Sequence, residues 1–113
     1  MRVGRGVSGT LALIAALGLL QCGTARSSAP PPVTHTVTIE GMQFTPADLT
    51  VKKGDTVVWV NKDLFPHTAT ASGTFDSKSI AEGASWQFTP AATGVFPYTC
   101  TFHPTMKGTL RVE

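Results

Sequence analysis

Apolar and polar residues alternate along most of the chain between residues 33 and 113. A period of two over short runs rich in Val, Thr and aromatic residues predicts β-strands that bury one face. No window of helical length shows a 3.6-residue period. The alternation therefore predicts strands at residues 36–39, 49–51, 56–60, 68–70, 85–88, 95–100 and 109–112.

Turns that contain Gly separate these strands, at residues 53–55, 72–73, 82–83 and 93–94. Turns at this spacing are typical of all-β sandwiches, and about 80 residues are enough for one domain. We therefore predict an all-β fold, a two-sheet Greek-key β-sandwich over residues 34–113. The residues predicted to lie in its core include Trp59, Trp86, Phe88 and Leu110.

The sequence also predicts the surroundings of three individual residues. Pro97 has no N–H to donate, so within its strand it should face an edge or a bulge. Met42 is expected in the core rather than at a binding site, because a lone Met usually fills a gap. His35 lies beside a Pro-rich segment and is expected to be a solvated residue at a strand end.

The beginning of the chain has the pattern of an export signal. Residues 1–21 combine Arg2 and Arg5 with an apolar run at residues 11–20, which is typical of a signal peptide and too short to span a membrane. The sequence before Cys22 resembles a lipoprotein signal, although Gln21 stands where a small residue is usual. Cleavage after Ala25 is the alternative.

Residues 22–33 are rich in Ser and Pro and predict a linker without a core. The domain that follows is then expected outside the cytoplasm, in the periplasm or the cell envelope. Lipid on Cys22 would tether it to a membrane, whereas cleavage after Ala25 would release it.

Charge excludes some classes of function. The nine Lys and Arg residues, less Arg2 and Arg5 of the leader, leave seven, which the seven Asp and Glu residues match. A nearly neutral domain without a basic run does not indicate nucleic-acid binding. No two carboxylates are spaced for acid–base catalysis, so we do not expect an enzyme; the scattered acids include Asp48, Asp55, Asp63, Asp76 and Glu82.

The strongest chemical signal is the spacing of Cys100, His103 and Met106, a thiol, an imidazole and a thioether three residues apart. These donors suit copper, whose blue electron-transfer sites use two His, one Cys and a weak Met. His67 follows a predicted strand and is a better candidate for the second His than His35. The alternatives are a packing role for Cys100 or a disulfide between Cys100 and Cys22.

Residues 98–113 contain Cys-x-x-His-Pro-x-Met followed by Lys-Gly-Thr-Leu-Arg-Val-Glu, and this run resembles the copper loop of amicyanins, which are small bacterial cupredoxins. The resemblance extends over residues 42–113. It implies one type-1 copper per chain, held by His67 and His103 through Nδ1, by Cys100 and by Met106. Phe102 and Thr68 replace the usual Pro and Asn, which bears on the reduction potential.

The resemblance implies a monomeric electron carrier that cycles Cu(II) and Cu(I). Redox proteins are expected to dock transiently near His103, where Phe65, Pro66, Phe102 and Pro104 form an apolar surface. Two alternatives remain at this point. One is an exported protein for copper storage, delivery or resistance, and the other is a structural sandwich domain joined by a disulfide.

Overall fold

The computed structural model describes residues 30–113, together with the isolated positions Gly4 and Gly18. The predicted signal peptide, Cys22 and most of the predicted linker lie outside the described residues. In the described part of the chain, no helix is long and apolar enough to cross a membrane. The strands of residues 30–113 are β1 (Thr34–Glu40), β2 (Gln43–Thr45), β3 (Asp48–Val51), β4 (Thr56–Asn61), β5 (Thr70–Ala71), β6 (Phe75–Asp76), β7 (Ser85–Phe88), β8 (Gly94–Cys100) and β9 (His103–Val112).

These strands form two sheets. One sheet has the order β2-β1-β4-β7 and the other has the order β3-β9-β8-β5-β6. The pairs β1–β4 and β3–β9 are parallel, and the remaining pairs are antiparallel. The predicted all-β, two-sheet sandwich is confirmed.

The core follows from the alternation. In β4, Val57, Trp59 and Asn61 point inward and are fully buried. Trp59 and Leu110 are core residues, as predicted. Trp86 and Phe88 are only half-buried, because β7 is an edge strand; they pack against the core from its side, with Trp86 5.5 Å from Trp59 between ring centroids.

Several strand boundaries differ from the prediction. The run at residues 68–70 forms a strand only at Thr70–Ala71, since His67 instead bridges to Ile80 through two backbone hydrogen bonds. The last strand begins at His103, well before residue 109. The strands β2 and β6 have only three and two residues, too few for a period to show in the sequence.

For two individual residues the structure differs from the prediction. Met42 is 40% exposed rather than in the core, because it lies in the turn between β1 and β2 with a φ of 61°. His35 is at the start of β1 but is not simply solvated. Its Nε2 lies 3.0 Å from Oδ2 of Asp55, and its side chain is half-buried.

Pro97 lies where the sequence places it. It is opposite Thr109 of β9, whose N–H donates to the Ala47 carbonyl on the far side of β9. Thr109 and Pro97 therefore form a pair without mutual hydrogen bonds. The nitrogen of Pro97 points toward β5, which ends at Ala71 before it reaches Pro97.

Candidate metal centre

At one end of the sandwich, two inward-facing residues of the core carry sulfur, Cys100 and Met106. Along β8, Tyr98 and Cys100 point inward, and along β9 the inward positions begin with Met106 and continue with Gly108 and Leu110. Only two residues separate β8 from β9, so His103 pairs directly with Cys100. His103 and Met106 are therefore residues of a strand, where the sequence predicts a loop.

His67 reaches the same end of the sandwich on the segment that follows β4. The buried side chain of Asn61 holds this segment in place: its Nδ2 donates to the carbonyls of Phe65 at 2.7 Å and Ile80 at 2.9 Å. Its Oδ1 accepts the N–H of Asp63 at 2.9 Å. The position of His67 is thus fixed by the last residue of a core strand.

Three predicted ligands converge. The donor atoms of His67, Cys100 and His103 lie within 4.8 Å of one another. Cys100 Sγ is 3.7 Å from Nδ1 of His67 and 3.7 Å from Nδ1 of His103. His35 is not among them, because it lies opposite Val57 near the start of β4, at the other end of that strand from Asn61.

These distances fit a bound metal. Bonds of about 2.3 Å to sulfur and 2.0 Å to nitrogen place the two donors about 3.7 Å apart at an angle of 120°, and about 3.5 Å apart at a tetrahedral angle. The observed 3.7 Å from Cys100 Sγ to Nδ1 of each imidazole is the separation expected when one metal ion binds that sulfur and that nitrogen at about 120°. The Nδ1 atoms face the sulfur, as the family resemblance implies.

The candidate ligands differ in their exposure to solvent. His67 and Cys100 have no exposed surface and Met106 is 3% exposed, whereas the side chain of His103 is partly exposed. Met106 lies on β9 on the same inward face that continues the core. Its role as a ligand remains a prediction.

Thr68 joins the His67 segment to the turn after Cys100. Its N–H donates to Cys100 Sγ at 3.3 Å, and its hydroxyl accepts the N–H of Thr101 at 2.9 Å. This hydrogen bond to the sulfur ties Cys100 to the segment that carries His67. The side chain that replaces the usual Asn of the resemblance therefore still links the two ligand-bearing segments.

Sequence reasoning missed Asp63, which it grouped with the scattered acids. Asp63 Oδ2 lies 2.8 Å from His67 Nε2, and the carboxylate also accepts the N–H groups of Gly41 at 2.7 Å and Met42 at 3.0 Å. Burial acts to raise the pKa of Asp63, but these hydrogen bonds outweigh it and hold the pKa below its ordinary value. A carboxylate four positions before a candidate His ligand is a signal that could have identified it.

Exposed apolar side chains lie close to both candidate His ligands in the sequence. Leu64 is 74% exposed, Phe65 60% and Phe102 51%, and the neighbouring Pro66 and Pro104 are also exposed. The imidazoles of His67 and His103, with ring centroids 5.0 Å apart, bring the two segments that carry these side chains together. We call these five residues the apolar collar.

Comparison with known proteins agrees with this geometry. A family model that describes a cupredoxin-like domain matches residues 10–112. Amicyanin from Paracoccus versutus is 31% identical over 83 residues, which cover 68% of this chain and 63% of that protein. The chain thus spans slightly less than two thirds of the length of that relative.

Solved structures share the fold. The Cu(I) form of an amicyanin variant aligns with a TM-score of 0.67 at 28% identity and covers 75% of this chain and 85% of its own. A copper-containing nitrite reductase from Thermus scotoductus aligns with a TM-score of 0.66 at 31% identity. That alignment covers 75% of this chain but only 23% of the reductase, so it concerns one part of a larger enzyme.

Proposed function

Because this chain belongs to the family of cupredoxin-like domains, we propose that it is a type-1 copper electron-transfer protein that works outside the cytoplasm. One observation carries the proposal: the donor atoms of His67, Cys100 and His103 lie within 4.8 Å of one another, and Cys100 Sγ is 3.7 Å from Nδ1 of each imidazole. A soft sulfur with two imidazoles is the donor set of blue copper. Met106 is the proposed weak fourth ligand.

Bound copper would supply the one-electron chemistry, by alternating between Cu(II) and Cu(I). The residues of the chain keep the ligands in place. His67 is fixed through Asn61, Cys100 lies within β8 and His103 lies within β9. Since strands carry Cys100 and His103 and buried hydrogen bonds hold the segment of His67, the change of oxidation state is expected to require little movement of the backbone.

The electron is proposed to leave through His103, which is partly exposed, whereas His67 and Cys100 are fully buried. The apolar collar provides a surface on which a redox protein can dock transiently, since short-lived encounters need only a small interface. Replacing Pro104 with Glu should slow electron transfer to the partner without changing the copper spectrum. An unchanged rate would show that electrons leave by another face.

Addition of Cu(II) to the metal-free protein tests the proposal most directly. We expect an intense blue absorption from thiolate-to-copper charge transfer, and its loss in Cys100→Ser. Met106→Gln should keep copper bound and lower the reduction potential, because an amide oxygen favours Cu(II) more than a thioether does. A colourless Cu(II) complex of the unmutated protein would reject the type-1 site.

Export and a lipid tether are part of the same proposal. They are supported by the basic and apolar pattern of residues 1–21 and by the position of Cys22 directly after it. Intact-mass analysis of membrane-extracted protein should find an acylated chain that begins at Cys22. A chain that begins at Arg26 would instead indicate a protein released after export.

A further inference from the structure

Asp63 connects a candidate metal ligand to a distant turn. Its carboxylate accepts hydrogen bonds from Nε2 of His67 at 2.8 Å, from the N–H of Gly41 at 2.7 Å and from the N–H of Met42 at 3.0 Å. The side chain of Asp63 is only 14% exposed, and that of His67 is fully buried. The carboxylate therefore has a set of partners that leaves it little freedom.

This contact decides where the proton of His67 lies. An ionised carboxylate can only accept hydrogen bonds, so Nε2 of His67 must be the donor. A neutral imidazole with its proton on Nε2 has its lone pair on Nδ1, the atom that lies 3.7 Å from Cys100 Sγ. Without Asp63, a neutral imidazole could carry its proton on either nitrogen.

The other two hydrogen bonds fix the carboxylate itself. Gly41 and Met42 have φ values of 62° and 61°, a conformation that a Met side chain rarely adopts. Two adjacent N–H groups directed at one carboxylate stabilise this turn. The orientation of the His67 ring is thereby tied to the connection between β1 and β2 as well as to its own segment.

We propose that Asp63 is the positioning residue that holds His67 in its metal-binding tautomer before any metal arrives, and that it thereby strengthens metal binding. The part that concerns copper rests on the proposed function. The negative charge beside His67 also makes the imidazole a stronger donor, which favours Cu(II) over Cu(I). Asp63 should therefore lower the reduction potential of the copper site.

The experiment compares Asp63→Asn with Asp76→Asn. Asp76 is a matched control, since it accepts the N–H of Lys78 at 2.8 Å and the hydroxyl of Thr70 at 3.1 Å, and Lys78 also has a positive φ, of 56°. Asp76 has no hydrogen bond to a candidate ligand among the described residues. Both variants remove a negative charge beside a turn with a positive φ, and Asp76→Asn also removes the ion pair of Asp76 Oδ2 with Lys78 Nζ at 3.2 Å. Only Asp63 touches the imidazole.

The first measurement uses metal-free protein. Long-range ¹H–¹⁵N spectra should show His67 of the unmutated chain as the Nε2–H tautomer alone, and a mixture of tautomers in Asp63→Asn. The second measurement is the affinity for Zn(II) and for Cu(II), which we expect to fall about 10- to 100-fold in Asp63→Asn and to stay unchanged in Asp76→Asn. Asp63→Glu keeps the charge and should recover part of the affinity.

Three results would overturn the inference. They are an Nδ1–H tautomer of His67 in the unmutated metal-free protein, an unchanged affinity in Asp63→Asn, and equal losses in the two Asn variants. If Asp63→Asn does not fold, the tautomer of His67 in the unmutated protein and the metal affinity of Asp63→Glu still test the proposal. The tautomer and Zn(II) measurements do not depend on blue copper, so a failure of the proposed function would be recognised separately.

Discussion

Asn61→Ala should be among the most damaging single changes to the metal end of the sandwich. The side chain is fully buried and makes three hydrogen bonds, two as donor from Nδ2 and one as acceptor at Oδ1. Each is worth about 1 kcal/mol net, so their loss should lower the free energy of unfolding by about 3 kcal/mol. The Ile80 carbonyl would not be left without a partner, because it also accepts the N–H of His67.

Urea unfolding of the metal-free protein measures this loss. The control is Thr56→Val, which removes an exposed hydrogen bond between Thr56 and Thr89 at the start of β4, and should change stability by less than about 0.5 kcal/mol. In Asn61→Ala we also expect a weaker blue band, because the segment that carries His67 loses its attachment. A loss no larger than in the control would refute the view that Asn61 holds this segment.

Three further predictions concern the rest of the domain. Hydrogen bonds from the N–H of Val33, from His35 and from the N–H of Lys52 lower the pKa of Asp55 to about 2. The contribution of Asp55 to stability should therefore be present above about pH 4 and be lost as the pH falls through 2. The difference between the urea midpoints at pH 5 and pH 2.5 should be smaller in Asp55→Asn than in the unmutated protein. Burial raises the pKa of Tyr98, the single tyrosine, to about 12. The free energy of unfolding should therefore fall between pH 10 and 12, and absorbance at 295 nm should show no tyrosinate in the folded protein near pH 10. In Gly108→Ala the new methyl group would lie 2.3 Å from the buried ring of Tyr98. Urea unfolding should then show that the free energy of unfolding is lower by about 1–3 kcal/mol. An unchanged urea midpoint would mean that the ring can move aside.

Much of the fold could be predicted because the period of two marks which side chains are buried. Trp59 and Leu110 alternate with exposed or half-buried neighbours in the sequence as they do in the structure. Met42 shows the limit of this reasoning. An apolar residue between two strands looks like core, but contacts from Asp63, 21 positions away, place it in an exposed turn.

The candidate site was predictable to the extent that its residues are close in sequence or chemically distinctive. Cys100 and His103 are three positions apart, and His67 was preferred to His35 because it follows a strand of the core. The partners of these residues were not predictable in the same way. Asp63 is four positions before His67, which is a signal, but only the geometry shows that its carboxylate reaches the imidazole.

The structure also shows an asymmetry between the two candidate imidazole ligands. His67 is fully buried, is hydrogen-bonded at Nε2 and lies on a segment fixed by Asn61. The ring of His103 is partly exposed, and within residues 30–113 its only hydrogen-bond contact is to Cys100 Sγ through Nδ1. A ligand held by one contact can move at a lower cost than a ligand held by several. Both the passage of electrons and the entry of metal should therefore take place on the side of His103, while His67 and Cys100 remain fixed to the core.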